Sequence, residues 1–521
     1  MKLNYKRTIF VGFAFFLICA FWQAYDNTIP MILTNKFGMS QTLSGAIMAL
    51  DNVLALFMLP LFGAISDRCK SKRGRRTPFI LFGTILAAIA FIGLSFVDAV
   101  QLKNIEKYSA VDDPAALTAI YGDAAKNEEL MTPEGEKFSL TEKFTLEEFK
   151  EIKSTIQDEN GKTITNPDYT NYVVPARQWV IQGISNGHRG TLIGFFILLM
   201  ITLVAMSTFR SPAVALMPDV TMKPLRSKAN AVINLMGSAG GIIVLALGIV
   251  FATSSVKNSM MSYMGYFAVI AAIMIVSLLI FLWKVKEPQF VQEMHEESLR
   301  LGISNEEEED EEAGGERRKL SPEEKKSLIF ILLSIILWFM GYNAVTSKYS
   351  VYASTILHKD YNLTLIIAQV AAIISYLPVG IIASKVGRKK TIIAGVVMLA
   401  GAFGAAALMR ANSPTVVMNA LFALAGIGWA TINVNSFPMV VEMCSVADVG
   451  RYTGYYYTAS MAAQVATPVL SGFLMDKLGM TVLFPYAAIF AAAAILTMVK
   501  VMHGDSRPEA KKGLEALDAD D

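Results

Sequence analysis

Long apolar runs recur along the chain and are separated by short polar or basic segments. Crossing about 30 Å of hydrocarbon requires about 20 helical residues, and the runs reach this length once flanking residues are included. Two less apolar segments, Ser40–Ile65 and Thr453–Met475, fit the same spacing, so the pattern predicts twelve membrane-spanning helices. The other predicted helices contain the runs Ile9–Ala24, Phe79–Val97, Gly194–Thr208, Ala231–Thr253, Tyr266–Trp283, Leu328–Gly341, Ile366–Ala383, Thr391–Met409, Val416–Val434 and Tyr486–Val499.

The composition favours a membrane protein. Hydrophobic residues make up 54% of the 521 positions and charged residues 17%, which is too apolar for an ordinary soluble domain. The net charge of +2 gives no indication of a nucleic-acid partner, and we predict none. The three cysteines, Cys19, Cys69 and Cys444, lie within predicted helices or at one face, so we expect no disulfide framework.

Basic residues concentrate on one side of the predicted bundle. They precede helix 1, fill the segment Asp67–Arg76, follow helix 4 and follow helix 8. With twelve helices, all of these positions fall on one face, which the positive-inside rule makes cytoplasmic. We therefore expect a multi-pass protein of the cell inner membrane, with both termini in the cytoplasm.

Two long polar interruptions divide the chain. Residues 98–189 are expected to lie outside the membrane and to form a helical cap. The simpler interpretation of this segment is an elaborated loop with no ligand role. In the linker that follows helix 6, the acidic run Glu306–Glu312 favours disorder. The predicted units are 1–97 (helices 1–3), 98–189 (external insertion), 190–285 (helices 4–6), 286–326 (cytoplasmic linker), 327–503 (helices 7–12) and 504–521 (cytoplasmic tail).

A short glycine- and basic-rich string occurs once in each half of the chain. The first runs from Gly63 through Asp67-Arg68 to Gly74-Arg75-Arg76, and the second from Gly380 to Gly387-Arg388. Two membrane blocks that repeat in this way indicate a two-lobed transporter. The strings resemble the loop between helices 2 and 3 of the major facilitator superfamily, although Ser384-Lys385 replaces Asp-Arg in the second copy.

Few ionisable side chains fall inside the predicted helices, and each one there is a functional candidate because burying a charge in a membrane is costly. Asp26 in helix 1, Asp51 in helix 2 and Arg210 in helix 4 belong to one lobe. We predict that they form a cluster whose net charge changes by one on protonation or cation binding. The alternative is that both acids lie near the outer interface, wetted and structural.

Polar and aromatic residues in the helices favour a sugar site, because sugars present apolar faces to aromatic rings and hydroxyls to amides. Asn433 and Asn435 cannot both face such a site, and we favour Asn433 with Trp429. For each residue, the alternative role is hydrogen bonding between helices. The predicted substrate-binding residues are Trp22, Gln23, Tyr25, Asn27, Asn52, Asn234, Trp338, Tyr342, Asn343, Trp429, Asn433, Tyr456 and Gln464.

Charged residues at the basic face resemble a gate that latches the two lobes and opens in each cycle. A role in setting membrane orientation alone explains the basic residues equally well, but it explains the acidic residues poorly. The predicted gate comprises Asp67, Arg68, Arg75, Arg76, Asp219, Arg388, Glu442 and Arg451, with Asp448 beside them.

The sequence offers no catalytic set, so we predict that the protein is not an enzyme and binds no cofactor or metal. All four histidines fall in predicted loops or at helix ends, which argues against a histidine proton relay in the membrane. No nucleotide-binding loop is present, so transport is expected to use an ion gradient or the gradient of the substrate itself.

The string Ser66–Ile80 resembles the helix 2–3 loop of sucrose transporters, which belong with the glycoside–pentoside–hexuronide cation symporters. Phe209–Asp219 and Gly428–Pro438 are similar to bacterial members of that group. The resemblance covers both lobes and excludes the insertion and the linker. It implies cation-coupled sugar symport.

Three positions depart from the family pattern. Leu203 stands where plant sucrose transporters carry a coupling Asp, and Val214 stands at their Arg. Leu59 stands where melibiose-type members carry an Asp. The coupling chemistry is therefore expected to have moved, with the helix 1, 2 and 4 cluster as its replacement.

These observations predict an all-α, twelve-helix major facilitator fold with two six-helix lobes that rock between access states. The expected activity is symport of a sugar, a disaccharide or α-linked glucoside, with H⁺ ahead of Na⁺ as the coupling ion. The alternatives are an exporter of drugs or metabolites and a non-transporting sensor or scaffold. A monomer suffices, because one chain holds both lobes.

Overall fold

The computed structural model describes residues 3–127, 129–159, 161–301, 320–443 and 449–503. The predicted run Glu306–Glu312 and residues Cys444 and Asp448 lie outside these ranges. The long helices are α1 (Tyr5–Phe37), α2 (Gln41–Asp67), α3 (Thr77–Asn104), α4 (Arg189–Asp219), α5 (Arg226–Val250), α6 (Met264–Lys284), α7 (Pro322–Tyr352), α8 (Tyr361–Val386), α9 (Arg388–Ala406), α10 (Thr415–Val441), α11 (Val449–Leu478) and α12 (Leu483–Val499).

The predicted all-helical membrane fold is confirmed. Ten spans among the described residues are long and apolar enough to cross a bilayer, and α8 and α11 extend over 26 and 30 residues. In the first lobe α1 packs along α5 and α3 along α4; in the second, α7 packs along α12 and α9 along α10. Each lobe has its own apolar core, with Phe21 and Phe91 in one and Phe422 and Phe484 in the other.

Helix α2 consists of two helical segments, Gln41–Met48 and Leu50–Asp67, which meet at Ala49. The first segment crosses α11 of the second lobe. A Cβ at Gly45 would run into the carbonyl group of Pro468, so glycine is required for this close approach. The crossing brings the two lobes together at one end of the bundle.

The predicted end of helix 3 at Val97 is wrong, because α3 continues to Asn104. Asp98 ends the apolar run but not the helix. Its carboxylate accepts two hydrogen bonds from Nζ of Lys36 on α1, at 2.5 and 2.7 Å. A buried partner of opposite charge thus lets the helix continue past an acidic residue.

The insertion contains the expected helices, together with two β-hairpins. Gly135 and Gly161 lie in the hairpin turns at φ +95° and +74°, which glycine adopts without strain. The helices are Glu106–Ser109, Pro114–Ala124, Leu140–Lys143, Leu146–Lys150 and Val174–Gly187, and the strands are β1 (Leu130–Met131), β2 (Lys137–Phe138), β3 (Thr155–Gln157) and β4 (Thr163–Thr165).

The first part of the linker is a helix, Glu287–Arg300, that lies against the first lobe. Arg7 of α1 donates to the carboxylate of Glu293 at 3.0 Å and to the carbonyl oxygen of Phe290 at 2.5 Å. The linker helix is therefore held to α1 by an ion pair and by a hydrogen bond to its backbone.

Candidate functional site

The two lobes contact each other at the end of the bundle that carries the insertion, here called the insertion side. The carboxylate of Asp476 on α11 accepts hydrogen bonds from the backbone N–H groups of Gln41 and Thr42 at 2.8 and 2.7 Å. Nζ of the buried Lys348 on α7 donates to the carbonyl oxygen of Gln41 at 2.6 Å. A carboxylate of the second lobe thus caps the N-terminus of α2 in the first.

A second set of interlobe hydrogen bonds joins the outer ends of α5 and α8. The hydroxyl groups of Thr253 and Tyr361 are 2.7 Å apart, and Nδ2 of Asn362 donates to the Thr253 hydroxyl at 3.1 Å. Together with the α2–α11 contact, these bonds close the lobes against each other on the insertion side.

At the opposite end of the bundle, helix α1 begins and helix α12 ends, and this end is called the terminal side. Here Asp219 accepts hydrogen bonds from Arg75 at 3.0 and 2.6 Å and from Arg76 at 2.8 Å. Hydrogen bonding to Asp219 raises the pKa of the Arg75 guanidinium. Arg76 also pairs with Asp67 at 2.5 Å.

The other predicted gate residues also make contacts within their own lobe. Arg388 donates to the carboxylate of Glu442 at 2.7 and 2.9 Å, and Arg451 donates to the hydroxyl of Tyr455 at 2.6 Å. Arg68 is exposed. A latch between the lobes stays a prediction.

Glu287, which the sequence pattern did not identify as a site residue, completes the charge network of the first lobe. Its buried carboxylate accepts hydrogen bonds from the backbone N–H groups of Arg76 and Thr77, at 2.7 to 3.2 Å. It therefore caps α3 from the linker helix. The Glu-Pro pair after helix 6 is a helix-start signal, but it does not reveal the partner.

Neutralising Asp219 should destabilise the first lobe. The Arg76 side chain is only 5% exposed, and Asp219→Asn leaves it with the half-exposed Asp67 as its remaining acidic partner. We expect a loss of about 2–4 kcal/mol, measured as a lowered thermal midpoint of the purified protein. Glu293→Gln breaks the more exposed pair with Arg7 and should cost under about 1 kcal/mol. Equal midpoints for the two variants would contradict this assignment.

Asp26, Asp51 and Arg210, each partly exposed, interact electrostatically with one another on helices of the first lobe. Arg210 attracts both carboxylates, which repel each other. Asn52 donates a hydrogen bond to Asp51 at 2.8 Å. The guanidinium of Arg210 lies 5.8 Å from the ring centroid of Trp22, so the charged cluster borders a predicted substrate residue.

The second lobe places an aromatic pair opposite this cluster. The rings of Tyr342 and Trp429 stack with centroids 3.6 Å apart and planes inclined by 5°. Asp26 is near enough to Tyr342 to interact with it electrostatically across the lobe boundary. A carboxylate and a flat apolar face therefore lie together between the lobes.

A hydrogen-bonded pair of amide side chains also bridges the lobes, and only one of the two residues was predicted from the sequence. Nε2 of Gln369 on α8 donates to Oε1 of Gln23 on α1 at 2.6 Å. A Cβ at Gly241 would lie 3.4 Å from an oxygen of each amide, so glycine gives the pair room. A lone Gln within the apolar run of helix 8 is the only sequence signal for Gln369.

The predicted substrate residues fall into two groups in the structure. Those that are partly exposed are Trp22, Gln23, Asn52, Asn234, Tyr342, Asn343, Trp429, Asn433 and Gln464. Those that are packed in the interior are Tyr25, Asn27, Trp338 and Tyr456. Asn435 is fully buried and donates to the carbonyl oxygen of Thr431 at 2.9 Å, whereas Asn433 is partly exposed.

Several polar atoms of this region have no hydrogen-bond partner within the part of the chain that the structure describes. They are Nε1 of Trp22, the hydroxyl of Tyr25, Nδ2 of Asn343 and Oε1 of Gln369. Buried polar groups are normally hydrogen-bonded, so these donors and acceptors are suited to a hydroxylated ligand or to water. The arrangement can bind a polar neutral molecule beside a charged cluster.

Two helical lobes that meet around such a polar interior define a secondary transporter fold. The model of the MFS_1 like family matches residues 4–486, and the chain belongs to this family of major facilitator superfamily transporters. It is a multi-pass membrane protein, and the family is one of transporters rather than enzymes.

The chain shows distant similarity to two curated proteins whose names describe sugar transport. The human Proton-associated sugar transporter A is 33% identical over 94 residues, which are 18% of this chain and 12% of that protein. Sucrose transport protein SUC3 of Arabidopsis thaliana is 41% identical over 67 residues, 13% of this chain and 11% of that protein. The matches thus span only about an eighth of these relatives.

Solved structures show the same fold over nearly the whole chain. The inward open xylose transporter XylE from E. coli has a TM-score of 0.60 at 15% identity, covering 99% of both chains. The nucleoside transporter NupG has a TM-score of 0.51 at 13% identity, covering 95% of this chain and 98% of that one. The predicted two-lobed major facilitator fold is confirmed.

Proposed function

We propose that this protein is a cation-coupled symporter of a neutral sugar, a disaccharide or α-linked glucoside, with H⁺ as the leading coupling ion. The observation that carries the proposal is the position of the Asp26–Asp51–Arg210 cluster beside Trp22 and near Tyr342 of the other lobe. Substrate and coupling ion would then occupy adjoining parts of one interlobe space. The names of the two curated relatives, one for sucrose and one for proton-associated sugar transport, agree with it.

The charge balance of the cluster provides a coupling mechanism. With both carboxylates ionised the cluster carries one net negative charge, and one bound cation makes it neutral. Moving a net charge through a low-dielectric interior is costly, so the loaded, neutral cluster favours reorientation of the lobes. Sugar binding between the lobes would select the same loaded state.

The conformation described here has its lobes closed together on the insertion side. The positive-inside rule assigns the terminal side to the cytoplasm, so we interpret this state as inward-facing, with termini in the cytoplasm of the cell inner membrane. Rocking of the lobes would break the Asp476–Gln41 contact and open the insertion side.

Substrate binding tests the proposed site directly. Oε1 of Gln369 is buried without a partner among the described residues, and a sugar hydroxyl can donate to it. Gln369→Ala and Gln23→Ala should each weaken sugar binding about tenfold, because each removes an amide from the site. Isothermal titration with sucrose, maltose and methyl α-glucoside measures the effect.

The exposed Gln182 of the insertion provides a matched control, and Gln182→Ala should leave the affinity unchanged. Tetraphenylphosphonium belongs in the same titration series as a lipophilic probe. Tight binding of that cation with no binding of any sugar would support an exporter and contradict the proposed substrate class.

A further inference from the structure

The insertion is attached to the first lobe. Gln101 of α3 donates to the hydroxyl of Ser185 at 3.1 Å, and Ile105 packs in an apolar cluster with Ile181. Gly38, which follows α1, lies directly against the backbone of Gln178 and Gln182. Any movement of the first lobe therefore carries the insertion with it.

One hairpin of the insertion extends to the second lobe. Its tip, residues 132–136 between β1 and β2, is closed by hydrogen bonds from Thr132 N to Glu136 O at 2.8 Å and from Gly135 N to Thr132 O at 2.9 Å. The carbonyl oxygen of Pro133 accepts a hydrogen bond from the backbone N–H of Met480 at 2.6 Å. Met480 lies between α11 and α12 of the second lobe.

Two glycines make this contact close. Gly135 in the hairpin has φ +95°, and Gly479 in the second lobe has φ +90°. A Cβ at Gly135 would lie 2.6 Å from the carbonyl oxygen of Leu478, and a Cβ at Gly479 would collide with the backbone of Glu134. Backbone therefore packs on backbone with no room for a side chain on either surface.

The hairpin also lies next to the α2–α11 contact that closes the insertion side. Thr132 and Pro133 line one small cleft together with Gln41 and Asp476, which form that contact. The cleft is thus bounded by the insertion and by both lobes. Separation of the lobes here requires the hairpin tip to leave Met480.

We propose that the tip 132–136 is an interlobe strap, which stabilises the conformation closed on the insertion side and is released when that side opens. The strap adds a hydrogen bond and a backbone contact that exist only in the closed state. It therefore shifts the balance between the two access states whichever substrate is carried.

The test measures lobe separation by pulsed electron–electron resonance with spin labels on both lobes. Lys257→Cys and Leu408→Cys place labels at exposed positions on the insertion side, after Cys19, Cys69 and Cys444 are replaced by Ser. Gly135→Ala should raise the ratio of open to closed populations about fivefold or more, the effect of losing at least one hydrogen bond.

Gly161→Ala is the matched control, because Gly161 also has a positive φ in a hairpin of the insertion but, its chain neighbours apart, no described residue lies within 4 Å of its Cβ position. It also places alanine at a positive φ (+74°, against +95° at Gly135) but without the collision, so its populations should equal those of the parent. Equal ratios of open to closed populations in Gly135→Ala and Gly161→Ala would overturn the proposal of an interlobe strap.

A second pair of variants tests the hydrogen bond without altering the hairpin. Met480→Pro removes the N–H that donates to Pro133, at the first residue of a 3₁₀ turn where proline is tolerated. Met480→Ala loses the same side chain but keeps the N–H. The open fraction should rise in Met480→Pro above that of Met480→Ala, and equal fractions would contradict the proposal.

Discussion

Asp51→Asn is expected to abolish the uphill accumulation of sugar while leaving sugar counterflow intact. A membrane potential of 100 mV supplies about 2.3 kcal/mol per charge, which supports about fiftyfold accumulation when one cation accompanies each sugar. The variant should lower this ratio to about 1, because the cluster of Asp26, Asp51 and Arg210 is then neutral without a bound cation. Sugar exchange needs no net cation movement and should persist.

The measurement is uptake and counterflow of labelled sugar in proteoliposomes with the parent protein, Asp51→Asn and Asp26→Asn. Asp123→Asn is the control, because Asp123 is an acid of the insertion that pairs with Lys126 far from the cluster. Coupled accumulation in Asp51→Asn would sink the assignment of Asp51 and transfer the coupling role to Asp26.

Asp98→Asn is expected to cause the largest loss of stability. Both side chains of the Lys36–Asp98 pair are completely buried between α1 and α3. The ammonium also donates to the carbonyl oxygen of Met261 at 2.7 Å and lies 4.6 Å from the ring of Tyr263. Removing the carboxylate leaves a buried charge without its counter-ion, which costs about 3–5 kcal/mol.

A charge-free double variant separates the pair from the packing around it. Lys36→Met with Asp98→Leu removes both charges and should recover most of the stability lost in Asp98→Asn, as seen when buried ion pairs are replaced by apolar side chains. Thermal unfolding in detergent checks both effects. An unchanged midpoint in Asp98→Asn, or a double variant less stable than the single one, would contradict the account.

The fold could be predicted from the sequence because its signals are local. The length of each apolar run, the basic loops and the repeated glycine string each depend on neighbouring residues only. Even so, ending helix 3 at Val97 removed Asp98 from the residues considered to lie in the membrane. The rule that a charge ends a membrane helix fails when a residue 62 positions away supplies the counter-ion.

The site could be predicted only in part, for a related reason. Asp26, Asp51 and Arg210 were recognisable as isolated charges in apolar runs. Gln369 and Lys348 were missed, because their partners lie 346 and 307 residues away in the other lobe. No spacing in the sequence encodes how two lobes meet.

The insertion shows the same limit. Its polar composition identified a separate unit, but the contact with Met480 depends on the position of a backbone N–H in the other lobe. A backbone contact leaves no side-chain signature apart from the glycines that permit it.

The most direct test of the central claim is uptake of labelled disaccharides and glucosides by the parent protein in proteoliposomes with imposed H⁺ or Na⁺ gradients. We predict accumulation of at least one of these sugars above its external concentration under an inward H⁺ gradient, and its loss when a protonophore collapses the gradient. Binding of the sugar with no accumulation under either gradient, or uptake that only equilibrates, would contradict cation-coupled sugar symport.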